Sequence, residues 1–280
     1  MNLNDRALLV QLSISQWTAR KFDKKATQKV ADEFGSKVDQ GRFNKALLPV
    51  NDLLGNVHKM STEIRTFYYD NTLAWGVDGL QMLPTKNYLG FTTEFRAMKS
   101  RWERMVVDFN IEYPTLVREA QRVLGGLYDP NDYPADVRSK FGINLRFSPV
   151  PSDDFRVSIA GEELDRIRAE VRSSVSSSYE TAMKDVWQRI YDRVQHMAEK
   201  LADPKAIFRD SLVDNIKEQC ALLSRLNFMD DPNLEAMRQH VEGSLIKHPD
   251  ALRNDPDLRR DTAAEAKAIM DKMSVFMGGL

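Results

Sequence analysis

The longest regular pattern in the chain joins Leu164, Ile167, Val171, Val175, Tyr179, Met183, Val186, Ile190, Val194, Met197 and Leu201, spaced three or four apart with no Gly or Pro between residues 162 and 203. That is the helical period. At 1.5 Å per residue it predicts a helix of ~60 Å whose coiled-coil-like face needs a long partner. A second long helix is predicted over 87–124, where Tyr88, Phe95, Met98, Trp102, Met105, Phe109, Leu116, Ala120 and Val123 recur at related intervals. Pro114 should kink it and Gly125-Gly126 should stop it. Their lengths nearly match, so the expectation is an elongated, mainly α protein in which 87–124 and 162–202 run antiparallel.

Elsewhere the pattern changes. Leu8, Val10, Leu12 and Ile14 alternate along ALLVQLSISQW, which predicts a half-buried N-terminal strand. The basic stretch ARKFDKKATQKV enters a short helix ending near Gly35, and Val50, Leu54, Val57, Ile64, Phe67 and Tyr68 predict another over 49–69. Residues 70–85 are rich in turn formers but carry Leu73, Trp75, Leu80, Met82 and Leu83, so an ordered, packed loop is expected. Asp129-Pro130 opens a loop with a helical turn. Ile143–Phe147 and Phe155–Ile159 alternate on either side of Pro149, Pro151 and Asp153, as a small β-hairpin does.

Asp203-Pro204, Asp231-Pro232 and Asp255-Pro256 each place an N-cap before a proline suited to the first helical position, predicting three shorter helices. The Met-rich end, MDKMSVFMGGL, should dock on the core. The expected division is a region 1–160 with small β elements and a region 161–280, with no linker to mark the boundary and a single domain left open.

Composition narrows the classes. With 42% hydrophobic residues in 280, the chain has enough apolar side chains for a real core, and 40 basic against 41 acidic residues give a net charge of -1 and no global field toward nucleic acid or membrane. Cys220 stands alone, which excludes a disulfide framework and fits a small buried side chain. The N-terminus has no secretory pattern and no apolar run approaches the ~20 residues of a spanning helix, so a cytoplasmic protein without membrane contact is expected.

Catalytic motifs are missing from the sequence. Neither phosphate-binding glycine motif occurs, and no nucleophile elbow is present. His58, His196, His240 and His248 are scattered, and the pairs Asp153-Asp154 and Glu162-Glu163 sit where turns and helix starts favour acids. The serines at 173, 174 and 176–178 are expected to face solvent. No catalytic residue, metal or cofactor is expected. What remains is a basic-aromatic segment: Trp17, Arg20, Lys21, Lys24, Lys25, Lys29, Arg42 and Lys45, interleaved with Phe22 and Phe43. Cations that neutralise phosphates beside rings that stack on bases are what single-strand binding needs, while a solvated helix face is the plain alternative.

The stretches QLSISQWTARKFDKKAT, GRFNKALLP, FYYDNTLAWGVDGLQMLPTKNYLGF and YDPNDYPADVRSKFGINLRFSPVPSDDFRV resemble an uncharacterised helical protein family of bacteriophages and mobile elements. The resemblance covers about the first 160 residues. Members of that family are often encoded near a MoxR-type AAA+ ATPase and a CobT-like von Willebrand-type protein, which implies an adaptor or client role and brings no catalytic residues. Two functions are therefore expected: a non-enzymatic interaction or assembly protein that associates with itself or another protein, or a single-strand nucleic-acid binder using the segment from Trp17 to Lys45.

Overall fold

A computed structural model describes residues 3–76, 79–152 and 161–278, and the chain is mainly α-helical. In order, the elements are β1 (Ala7–Ser15), β2 (Arg20–Phe22), α1 (Lys24–Glu33), β3 (Asn44–Ala46), α2 (Asp52–Asp70), β4 (Leu73–Ala74), β5 (Gln81–Pro84), α3 (Thr85–Leu124), β6 (Gly142–Pro149), α4 (Gly161–Ala202), α5 (Ser211–Leu226), α6 (Pro232–Leu245), α7 (Pro249–Asn254) and α8 (Pro256–Gly278). They form two compact units. Neither is one continuous stretch: Met1–Gln11, Tyr68–Thr92 and Arg146–Leu280 make the first, Leu12–Phe67 and Thr93–Leu145 the second.

The first unit is built around α4. From Met183 to Leu201 the apolar stripe is buried, and Val175 and Tyr179 pack partly against the same cluster. The cover comes from Leu212, Val213, Ile216, Cys220 and Leu223 of α5 and from Ala266, Ile269 and Met273 of α8. Trp187 stacks on Phe276 at 5.1 Å between centroids, so the Met-rich end does dock on this core. The stripe is thus satisfied by α5 and α8, where length had pointed to the helix over 87–124. Ser178 is buried, against expectation, while Ser173, Ser174, Ser176 and Ser177 are exposed.

Strand order in the sheet is β4-β5-β1-β6. β1 pairs antiparallel with β5 from Ala7 opposite Pro84 to Val10 opposite Gln81, and β4 pairs with β5 through Leu73 and Met82. The segment expected to be a packed loop therefore holds two short strands, with Trp75 and Leu83 buried and Leu80 half-buried as anticipated. Ala7, Leu9 and Val10 are all buried, so the start of β1 is covered on both faces rather than one. β6 lies beside β1, and the expected second strand of its hairpin, Phe155–Ile159, falls outside the described residues, as does Asp153-Asp154.

An i,i+4 pair ties sheet to helix: Ala74 N donates to Asp185 Oδ2 at 3.0 Å, and Arg189 donates to Asp185 and to the carbonyls of Asp70 and Thr72. Two of the three Asp-Pro signals start helices. Asp231 caps α6 and Asp255 caps α8, each accepting from two backbone N–H groups. Asp203 instead closes a turn, accepting from Lys205 N, and the unanticipated His248-Pro249 starts α7. Among the described residues four helices follow α4, not three.

In the second unit α3 is met by α2. Trp102 Nε1 donates to Ser61 Oγ at 2.8 Å, with Leu54, Val57, Met60 and Ile64 buried on α2 and Phe95, Met98, Val106 and Phe109 buried on α3. Pro114 sits inside α3 without ending it. Gly125, at φ +51°, takes a backbone conformation that continues no helix, and α3 stops before it.

Burying a carboxylate in the α4 face tests its assignment. Ile190→Asp, at a side chain 1% exposed, should destabilise the chain by on the order of 3 kcal/mol in urea unfolding. Val175→Asp, half-buried, should cost clearly less; equal midpoints for Ile190→Asp and the parent would show the face to be misplaced.

Candidate functional site

The basic-aromatic segment folds as a two-stranded ribbon followed by a helix, all within the second unit. Ala19, at φ +51°, turns the chain, and its carbonyl accepts from Leu47 N at 2.7 Å. β2 and β3 then pair antiparallel with Arg20 opposite Ala46, Lys21 opposite Lys45 and Phe22 opposite Asn44. Asp23 caps α1 by accepting from Ala26 N at 2.9 Å, and Thr27 Oγ1 both donates to Asp23 O and accepts from Phe43 N. The helix is therefore fastened to the strand that returns beneath it.

At the centre lies Lys45, its side chain 6% exposed. Its ammonium is 2.7 Å from Asp132 Oδ2 and 3.2 Å from Asp23 Oδ2, and donates to Leu127 O at 2.7 Å. Lys21 pairs with the other oxygen of Asp132. Burial by itself pushes Lys45 down, but hydrogen bonds to Asp132 and Asp23 outweigh it and hold the ammonium above its ordinary value. Burial likewise pushes Asp132 up, yet Lys21 and Lys45 hold it below the usual carboxylate range. Asp23 is held low by the Ala26 N–H and by Lys45.

Tyrosines close the network. Tyr133 donates to Leu47 O at 2.6 Å, Tyr113 donates to Pro134 O at 3.1 Å, and the Tyr128 and Tyr133 rings lie 5.2 Å apart. Burial first, and neighbouring phenols second, push Tyr113 and Tyr133 up to about 12.

This geometry sorts the expected contact residues. Trp17 is half-buried, set edge-on to Tyr113 at 5.6 Å and tilted on Phe109 at 6.4 Å, and its carbonyl accepts from His58 Nε2. It anchors the ribbon, so it is no stacking platform. Lys45 is spent internally, and Lys21 is half-exposed but shared with Asp132. Arg20, Lys24, Lys25 and Lys29 are exposed and form no ion pair among the described residues. The Arg42 guanidinium lies over the Phe22 ring at 5.7 Å.

Sequence reasoning missed an apolar patch beside these cations. Phe34 is 80% exposed, and Phe22, Val30, Val38 and Phe43 are also exposed. Val30, Val38 and Phe43 line a shallow cavity of 150 Å³. The spacing hides it: Thr27, Val30, Ala31 and Phe34 follow the i, i+3, i+4, i+7 interval of one helical face, yet only Thr27 and Ala31 are buried.

Other candidate chemistry resolves structurally. Cys220 is buried, its thiol pushed up to about 11 by burial and then by Glu242. His240 meets Glu265 at 2.8 Å and His248 caps α7. Among the described residues, no three His, Cys, Asp or Glu side chains group as metal ligands would, and no helix is long and apolar enough to cross a membrane. Fold and surface together define a mainly α-helical protein with an exposed apolar patch edged by free cations. No protein-family model, curated protein or solved structure matches the chain.

The Lys45 network sets a pH window. Asp23 and Asp132 are held below 3.8, so their contribution is complete above that value and lost as pH falls through the lower folded values. Lys45 is held above 10.5, so its contribution is complete below 10.5 and lost as pH rises through the folded value. Tyr113 and Tyr133 lose theirs between 10 and about 12. Urea midpoints should thus hold level between about pH 5 and 9 and fall on both sides. Asp132→Asn should lower that plateau by about 2 kcal/mol, because the buried Lys45 ammonium keeps only the part-exposed Asp23 as counter-charge, and should shrink the acid limb.

Proposed function

We propose that this chain is a non-enzymatic interaction protein that docks a protein partner on the exposed face of α1 and the segment leading into β3. The observation that carries this reading is the patch of Phe22, Val30, Phe34, Val38 and Phe43. Apolar side chains gathered at the surface and rimmed by polar groups mark interaction sites. The cationic edge of Arg20, Lys24, Lys25 and Lys29 selects a partner with acidic side chains beside its apolar anchors. A second copy of the chain is the simplest such partner. The setting is the one the resemblance implies: a phage-type protein of the host cytoplasm, acting as adaptor or client of an AAA+ ATPase system.

One observation favours a second reading. Those four cations have no ion-pair partner among the described residues, and Phe22, Phe34 and Phe43 offer exposed rings beside them. A single strand would find phosphate contacts and stacking surfaces there.

Salt separates the two. Sedimentation of the parent should show self-association that persists at high salt and is lost in Phe34→Ser/Val38→Ser. Under the second reading, oligo(dT) affinity falls steeply with salt, and changing Arg20, Lys24, Lys25 and Lys29 to Gln flattens the slope by about one unit per lost contact. A parent that stays monomeric at every salt overturns self-association, and a parent whose oligo(dT) binding collapses in the quadruple variant replaces the first reading with the second.

A further inference from the structure

The end of α4 and the first turns of α8 border an open cavity of 590 Å³ in the first unit, remote in sequence from the α1 surface. Sites that take small organic ligands are typically ~300–1,000 Å³, mostly apolar, with a few convergent polar groups. This one has an alkyl floor that includes Leu201 and Ala263, and its polar lining is Arg253, Arg259, Arg260 and Lys267, with no carboxylate.

Two of those cations are already neutralised. Arg253 pairs with Asp210 and Asp250, and Arg260 pairs with Asp257. Arg259 differs. Its Nε donates to Leu201 O at 3.1 Å and its Nη2 to the carbonyls of Lys200, Asp203 and Ala206, at and just beyond the end of α4. Those carbonyls fix the guanidinium without cancelling its charge, and Phe208 supports it from below, 5.3 Å away. Its Nη1 donates to nothing among the described residues, and Lys267, two turns along α8, forms no ion pair there. An immobilised guanidinium and a free ammonium therefore face an alkyl-floored cavity without compensating acid.

We infer that this cavity binds a small amphipathic anion, with its head on Arg259 Nη1 and Lys267 and its unbranched aliphatic body along Leu201, Ala263 and Ala264. A carboxylate and a phosphate monoester satisfy the same head site. The fork of Arg259 suits either planar pairing or a single oxygen.

Calorimetric titration of the full chain below micellar concentrations tests this with decanoate, decyl phosphate, decanol and butyrate. One of the two long anions should bind saturably, one per chain, and which of them binds more tightly names the head. Decanol lacks the charge and butyrate the body, so each should bind at least about tenfold more weakly. Lys267→Glu should weaken the anion about tenfold, and Ala264→Trp, which fills the floor from an exposed position, should abolish binding. Circular dichroism of both variants should match the parent. Absence of saturable binding by either long anion, or binding that Ala264→Trp leaves intact, overturns the inference.

Discussion

A lysine ammonium withdrawn from water costs several kcal/mol unless opposite charges and acceptors surround it, and Lys45 meets that demand with groups drawn from three places in the second unit. Asp23 belongs to the start of α1, Leu127 to the turn after α3, and Asp132 to the short helical turn beyond it. Because Asp23 spends one oxygen on the cap of α1 and the other on Lys45, the direction in which α1 leaves the ribbon is set by the same charge that holds the ribbon down. The exposed side of α1 inherits its position from that arrangement. Lysines that do not reach Asp132 or Asp23 are left to solvent, beside phenylalanines that the small buried face of α1 cannot cover.

The first unit solves a different problem. A helix of 42 residues presents more apolar length than any one neighbour supplies, and its C-terminal half is enclosed by α5 and α8 together with the sheet edge that Asp185 and Arg189 hold in place. A helix that long also ends in several unpaired carbonyls. Arg259 answers them from α8, and that service is what immobilises it. Packing, capping and the cationic cavity are thus consequences of how one long helix is covered and terminated.

Local signals were legible in the sequence, and long-range ones were not. The helical period from Met183 to Leu201 and the Asp-Pro starts of α6 and α8 can be read from a few adjacent residues. The period says that a face must be covered without saying by what, which is why length suggested one partner for α4 and the fold supplied others. Strands as short as β4 and β5 carry too few residues for alternation to show. The basic segment read as a uniform surface because residue type alone does not reveal that Asp132 draws Lys45 inward or that Phe109 and Tyr113 claim Trp17. Phe34 was overlooked for the opposite reason: an aromatic at a helix end reads as core, and nothing in its neighbourhood marks it as left outside.

The interleaving of the two units bears on the order in which the chain is made. Every segment of the second unit has been synthesised by residue 145, while α4 is still to come. β1 is less fortunate. Its hydrogen-bonding partner β5 follows at residues 81–84, but most of the core cluster to which Ala7 and Leu9 belong, from Ala182 to Met273, emerges far later. An apolar strand waiting for cover is where wrong pairings begin. β1 emerges well before the helix that completes its cover, and the nascent protein has to keep that strand from other chains until α4 arrives.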